Sequence, residues 1–222
     1  MLQHIEQFVN FIYSQGVCPN NSARSPIHVV QVLEEIVQRT ADAMVAERVP
    51  FRGVLFAGLM IKDGKAKLLE HNVRFGDPEC QCLMQRLDSD LLPVLLEASQ
   101  GRLGGYMKSD DSKLQWSSDA TVGVVMATEG YPGDYKNGSK LLGVAEVAQD
   151  VAKVFHAGTG EQDGYLVATG GRVLCVTARG ETVSEAQRKA YEGVEAIDWP
   201  EGFYRRDIGW RAIQREAEGA EA

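Results

Sequence analysis

The sequence predicts an α+β fold in two parts, and three observations carry that reading. Stretches near 27–47 and 79–100 place apolar residues at helical spacing. Apolar runs of strand length lie between them, one pair joined by Asp63-Gly64, a strong hairpin signal. After the polar, Gly-rich stretch Gly101–Ser118 the texture changes to short strands, which makes that stretch the best inter-domain linker.

Taken in order, Leu2, Ile5, Phe8, Val9 and Ile12 predict a short amphipathic helix over 2–14, followed by a breaker-rich stretch at 16–22. Ser25 as cap and Pro26 at the first position predict a helix over 27–47. Val29, Val32, Leu33, Ile36, Val37, Thr40 and Met44 form its core-facing stripe, and Pro50 stops it. Residues 53–61 read as a buried strand, 66–73 as the hairpin return and 74–78 as a loop. Residues 79–100 read as one helix with Leu83, Leu87, Leu91, Val94 and Leu95 inward. Beyond the linker come strands at 120–127, 153–157, 165–169 and 172–178. A helix over 182–197 with Thr182 as cap follows, then an irregular end with a frayed polar tail from Glu216.

The 222 residues are 44% apolar and 24% charged, ordinary globular usage that needs no disulfides to close a core. The net charge of −8 argues against a nucleic-acid backbone as partner, because that contact rests on Lys and Arg. It leaves room for a small phosphorylated ligand. The four cysteines, Cys18, Cys80, Cys82 and Cys175, are scattered and read as reduced thiols. No targeting segment is evident and no apolar run approaches the ~20 residues that span a bilayer, so a soluble protein without membrane partners is expected.

Chemistry concentrates after the second strand. Glu70 and Asn72 stand two apart on a strand, hence on one face, roughly 6–7 Å apart. Two oxygen-bearing side chains suit a hard cation such as Mg²⁺; a strand end whose polar groups are simply hydrogen-bonded is the other reading. Arg74, Asp77 and Glu79 follow within one loop. The arginine fork suits a carboxylate or phosphate, and the same residues equally describe a loop held by its own Arg–carboxylate pair. Thr169-Gly-Gly-Arg172 offers backbone N–H groups and a guanidinium to a phosphate, or is a plain turn. Gly130-Tyr131-Pro132 is first of all a turn after an apolar strand, and His156 reads as a hydrogen-bonded core histidine. In Asp207-Ile-Gly-Trp-Arg211, the Asp and Arg read as a structural pair.

The run Leu69-Glu-His-Asn-Val-Arg-Phe-Gly-Asp-Pro-Glu-Cys-Gln81 closely resembles the signature of the glycinamide ribonucleotide synthetases, the phosphoribosylamine–glycine ligases of the ATP-grasp superfamily. The resemblance continues through Gly53-Val-Leu-Phe-Ala-Gly-Leu-Met60, Gly130-Tyr-Pro-Gly-Asp134, Val154-Phe-His-Ala-Gly-Thr159, Thr169-Gly-Gly-Arg-Val-Leu174 and Asp207-Ile-Gly-Trp-Arg-Ala212, in family order from about Pro26 to Ile213. It implies the C-terminal part of an ATP-grasp core, an antiparallel sheet with helices, followed by a small mixed β/α C-terminal domain. The expected boundaries are 1–24 for an N-terminal extension of unclear origin, 25–105 for the partial ATP-grasp domain with its metal site, and 116–222 for the C-terminal domain.

The resemblance also implies ATP-dependent ligation of glycine to 5-phosphoribosylamine in de novo purine synthesis, through glycyl phosphate. Glu70 and Asn72 are then the ligands of Mg²⁺ or Mn²⁺, Arg74, Asp77 and Glu79 the catalytic group, and Gly130, Tyr131, Pro132, Gly170, Gly171 and Arg172 the substrate contacts. His71 stands where the family usually carries an aromatic, on the opposite strand face from Glu70, and is expected to pack. The family's N-terminal dinucleotide-fold-like domain and its ATP lid have no counterpart here. The chain is therefore expected to be a fragment, inactive alone, with the N-terminal half as a partner that a separate chain could supply, and cytoplasmic unless a longer precursor carries a transit peptide. A non-catalytic module that binds a phosphoribosyl ligand or a partner is the alternative; a relic without ligand fits less well with an intact Glu70, Asn72, Arg74 and Asp77.

Overall fold

The computed structural model describes Val17–Cys18 and residues 32–62, 65–108 and 114–220. In chain order the elements are β1 (Val17–Cys18), α1 (Leu33–Gln38), α2 (Arg39–Ala46), β2 (Phe56–Lys62), β3 (Lys65–Asn72), α3 (Glu79–Arg86), α4 (Leu92–Ser99) and α5 (Leu103–Tyr106). The second half holds β4 (Ala120–Thr128), β5 (Lys153–His156), β6 (Thr159–Gln162), β7 (Tyr165–Ala168), β8 (Arg172–Gly180), α6 (Val183–Glu195), β9 (Gly202–Tyr204) and α7 (Trp210–Ala220). The chain is thus α+β with antiparallel sheets, arranged as two compact units. The expected helix over 2–14 and the Ser25–Pro26 cap lie outside the described residues, as does the Asp63-Gly64 turn. No helix among the described residues is long and apolar enough to cross a membrane.

Of the described residues, the first unit contains 32–62, 65–77, 87–108 and 114–117. Helix runs without a break from Leu33 to Ala46, π-wound over α1 and α-wound over α2. Val32 and Leu33 are buried, as the stripe requires. The helix ends where Arg48 turns left-handed at φ 62°. Strands β2 and β3 pair antiparallel from Phe56↔Asn72 to Lys62↔Lys65, so the hairpin is as the sequence reads. Its register shifts after Gly58, where Leu69 is the extra residue, a bulge that periodicity does not announce.

The expected single helix over 79–100 is two. Pro93 lacks an N–H and is tolerated only in a first helical turn, where it sits in α4. Asp90 Oδ1 accepts from Leu92 N at 2.9 Å and starts that turn. Leu87 instead bridges to Trp116. Leu95, expected inward, is exposed beside buried Val94. Within the Gly-rich stretch, α5 forms one helical turn. Val45, Met60, Leu69, Val73, Leu92 and Leu96 of this unit are all more than half or half exposed.

Of the described residues, the second unit contains 17–18, 78–86 and 118–220. Its sheet has the order β1-β4-β8-β5, with β9 also on β4. β4 and β8 are its buried centre, an almost continuous apolar ladder from Ala120↔Gly180 to Ala127↔Arg172. α6 packs on it through Val183, Ala186, Ala190, Gly193 and Val194, one helical stripe of small residues. A Cβ at Gly193 would lie 2.7 Å from Ala152 Cβ and 2.9 Å from Val176 Cγ1, so glycine sets that approach. β6 and β7 form a separate hairpin turned by Asp163 and Gly164, both at positive φ. That Asp-Gly pair is the local signal of the hairpin, and β6, β9 and the two-residue β1 are strands beyond those expected from periodicity.

The end of the chain is not irregular: α7 runs to Ala220, with Ala212 and Ile213 against the core. Glu216 is no frayed residue. Its carboxylate accepts from Val183 N at 2.9 Å and 3.1 Å at the start of α6, where Thr182 Oγ1 also accepts from Glu185 N at 3.1 Å. A carboxylate on orphan N–H groups at the positive end of a helix is favourable. Glu216→Ala is expected to lower the stability of this unit by about 1 kcal/mol, read as a lower urea midpoint at unchanged slope.

Candidate functional site

The hairpin of the first unit carries the first cluster. Asn72 Nδ2 donates to Glu70 Oε1 at 3.2 Å, so both side chains stand on one face and leave Glu70 Oε2 and Asn72 Oδ1 as further oxygen donors. Gly58 pairs directly with Glu70, and a Cβ there would lie 3.0 Å from Glu70 Cγ, so the glycine gives the carboxylate room to cross the hairpin. Gly58 is a site-shaping residue that spacing alone did not single out. On the other face His71 Nε2 meets Thr40 Oγ1 at 3.1 Å. The Thr40 hydroxyl also lies 2.8 Å from Ile36 O, so the ring packs toward the helix.

Arg74 is exposed and donates from Nη1 to Phe75 O at 2.9 Å. The loop is therefore not stitched by an Arg74–carboxylate pair, and among the described residues this guanidinium makes no ion pair. Asp77, also exposed, ends the first unit. A two-oxygen set on an exposed face fits Mg²⁺, which keeps waters and takes one or two protein oxygens together with phosphate oxygens. Among the described residues no three His, Cys, Asp or Glu gather into an all-protein metal cage.

The second unit holds the remaining candidates. Glu79 opens α3 and makes its first turn acidic. The structure brings the turns at 130–132 and 170–172 together. Thr128 N donates to Gly171 O at 2.8 Å, Thr128 Oγ1 to Gly170 O at 2.7 Å, and Tyr131 N to Thr128 O at 3.1 Å. The Tyr131 ring lies so close to Gly171 that a Cβ there would run into it. Gly158 N donates to Arg172 O at 3.0 Å and Gly158 O accepts from Thr169 N at 2.7 Å, which brings in a third loop. A Cβ on Gly158 would lie 2.9 Å from Gly170 Cα. Three loops remote in sequence so converge at one end of the β4–β8 ladder, where the Arg172 side chain is exposed. Gly171→Ala is expected to displace Tyr131 and to destabilise by about 1–3 kcal/mol, the usual cost of overpacking, checked by urea unfolding.

The other candidates have structural partners. His156 is not a core residue: it is exposed, with Nδ1 3.2 Å from Thr159 Oγ1. Asp207 pairs with Arg205, at 2.8 Å and 3.0 Å, rather than with Arg211. Hydrogen bonding to Arg205 holds the Asp207 carboxyl below its usual range, so the pair persists at neutral pH and is lost only as pH falls through that lowered value. Tyr191 clamps this loop to α6, donating to Arg205 O at 2.6 Å and accepting from Ile208 N at 3.1 Å; burial raises its pKa. A cavity of about 380 Å³ lies at the opposite end of the ladder from Arg172, by Gly180. Both of its cations are paired with carboxylates of the same wall, Arg179 with Asp119 and Lys189 with Glu185, and it shares no residue with the motifs above.

Two family models match the chain in succession. The Phosphoribosylglycinamide synthetase ATP-grasp (A) domain matches residues 15–80, and the Phosphoribosylglycinamide synthetase C domain matches residues 121–211. A phosphoribosylamine–glycine ligase of Brucella melitensis is 49% identical over 193 residues, 86% of this chain and 44% of that protein. A chloroplastic phosphoribosylamine–glycine ligase of Arabidopsis thaliana is 54% identical over 190 residues, 83% of this chain and 35% of that protein. The crystal structure of a phosphoribosylamine–glycine ligase from Thermotoga maritima superposes with a TM-score of 0.70 at 33% identity, over 84% of this chain and 44% of that one. The chain thus spans less than half the length of these relatives. With models of two domains of one family matched in succession, and about half of the aligned residues identical to its members, the chain belongs to the phosphoribosylglycinamide synthetase family.

Proposed function

We propose that this chain is the C-terminal part of a ligase that joins glycine to 5-phosphoribosylamine with ATP, making glycinamide ribonucleotide for purine synthesis. The observation that carries the reading is the match to the A and C domains of one ligase family with Glu70, Asn72, Arg74 and the Gly170–Arg172 turn all present. In this reading residues 25–105 are a partial ATP-grasp domain and 116–222 the C-terminal domain, with 1–24 preceding them. The protein works in the cytoplasm, or in an organelle if a longer precursor is imported, as the name of the Arabidopsis relative implies for that protein. Its partners are glycine, phosphoribosylamine, ATP and the remaining N-terminal part, whether on the same chain or another.

The glycine carboxylate takes the γ-phosphoryl group of ATP and releases ADP; the amine of phosphoribosylamine then attacks the acyl carbon and phosphate leaves. When bound, Mg²⁺ or Mn²⁺ on Glu70 and Asn72 supplies positive charge to the ATP phosphates. The exposed Arg74 fork stabilises the negative oxygens of the transferring group. Asp77 and Glu79 accept from the glycine ammonium. The turns at Gly130–Pro132 and Gly170–Arg172 hold the ribose phosphate through backbone N–H groups and the Arg172 guanidinium.

Reconstitution tests the proposal. This chain, combined with a polypeptide carrying the N-terminal remainder of the Brucella relative, is expected to release ADP over many turnovers only when glycine and phosphoribosylamine are both present. A complex of the two polypeptides that binds ATP and releases none would overturn the reading.

A further inference from the structure

We propose that Thr128 is a positioning residue that locks the two substrate turns of the second unit into one surface. The inference rests on the reading that those turns receive the phosphoribosyl group. Thr128 ends β4, is 2% exposed, and is bonded to both turns at once. Its Oγ1 donates to Gly170 O at 2.7 Å, its N donates to Gly171 O at 2.8 Å and its carbonyl accepts from Tyr131 N at 3.1 Å. The two backbone bonds are open to any residue. The third needs a hydroxyl, and the site is too buried for water to replace it easily.

The consequence reaches the ligand side. The Tyr131 ring rests on Gly171, and Arg172 follows directly. The β4–β8 register steps from Met126↔Leu174 to Ala127↔Arg172, so a bulge at Val173 sets where Arg172 leaves the sheet. Gly170, on the far side of Arg172 from that bulge, is held by the Thr128 hydroxyl. The bulge and the hydroxyl thus fix the backbone on both sides of the arginine, and the Thr128 carbonyl ties Tyr131 to the same point. Removing the hydroxyl frees Gly170 O, and the two turns are then joined by backbone bonds alone.

The test uses the 222-residue chain with Thr128→Val, Thr128→Ser and Arg172→Ala, ribose 5-phosphate as calorimetric probe, and amide hydrogen exchange without ligand. Valine keeps the shape and the backbone bonds, and serine restores the hydroxyl, so a cooperative melt for each shows that the fold is intact. Thr128→Val is expected to weaken the probe about tenfold and to speed exchange of the Tyr131 amide by a similar factor, with Thr128→Ser within about twofold of the unsubstituted chain. Thr128→Val that protects Tyr131 as before, or binds the probe as tightly as before, would overturn the positioning role. No affinity of the unsubstituted chain for the probe, or full affinity in Arg172→Ala, would overturn the substrate reading instead; Tyr131 exchange decides the lock in either case.

Discussion

Replacing Glu70 with alanine in a complete ligase containing this chain is expected to lower turnover by about a thousandfold or more, the scale on which a charge-stabilising group at a phosphoryl-transfer site acts. Stability is expected to change little. Glu70 is exposed, and its contact with Asn72 is a single 3.2 Å hydrogen bond on the surface. Losing such a bond costs below about 1 kcal/mol, a shift of a few degrees at most for a protein of this size. Opposite it stands Gly58, which has no side chain to be left without a neighbour. Glu70→Gln separates charge from shape: it keeps the hydrogen-bonding outline and is expected to lose nearly as much activity. Steady-state ADP release with thermal melting reads both quantities. A folded Glu70→Ala enzyme with near-normal turnover would remove Glu70 from the metal site; a variant that fails to fold would make the residue structural.

The second large effect is an expected loss of all catalysis in the isolated chain. ATP, glycine and phosphoribosylamine are expected to yield no ADP above the enzyme-free rate. The chain spans 44% of the Brucella relative and 35% of the Arabidopsis one, and its first unit presents Val45, Met60, Leu69, Val73, Leu92 and Leu96 to solvent. Each of these side chains is apolar surface whose burial against another protein surface is favourable. The same preparation is therefore expected to self-associate as its concentration rises, measured by sedimentation velocity. ADP release that scales with the amount of isolated chain would contradict the expectation.

How far the sequence could be read follows from which forces act locally. The β2–β3 hairpin was legible because Asp63-Gly64 and the apolar runs are local signals, and the shared face of Glu70 and Asn72 follows from the two-residue strand repeat. Thr182 as the cap of α6 was legible for the same reason. The break before α4 was missed, because helical periodicity on both sides concealed the signal of Pro93. What could not be read was contact between distant segments. Glu216 reads as a polar tail residue in sequence because its partner, the Val183 amide, lies 33 positions away. Thr128 looks like one more β-branched strand residue, and only the fold brings Gly170 to its hydroxyl. Gly58 and Gly171 matter through the side chains that cross them, Glu70 and Tyr131, which no spacing rule reveals.

The central claim is that this chain functions as the C-terminal part of a longer ligase. The size of the native protein in its source cells tests it most directly, by immunoblot with an antibody against residues 207–215. A band near twice 24.3 kDa is the predicted result and carries the site assignments over to a complete enzyme. A single band at 24.3 kDa, in cells with no separate chain supplying the N-terminal part, would contradict the account.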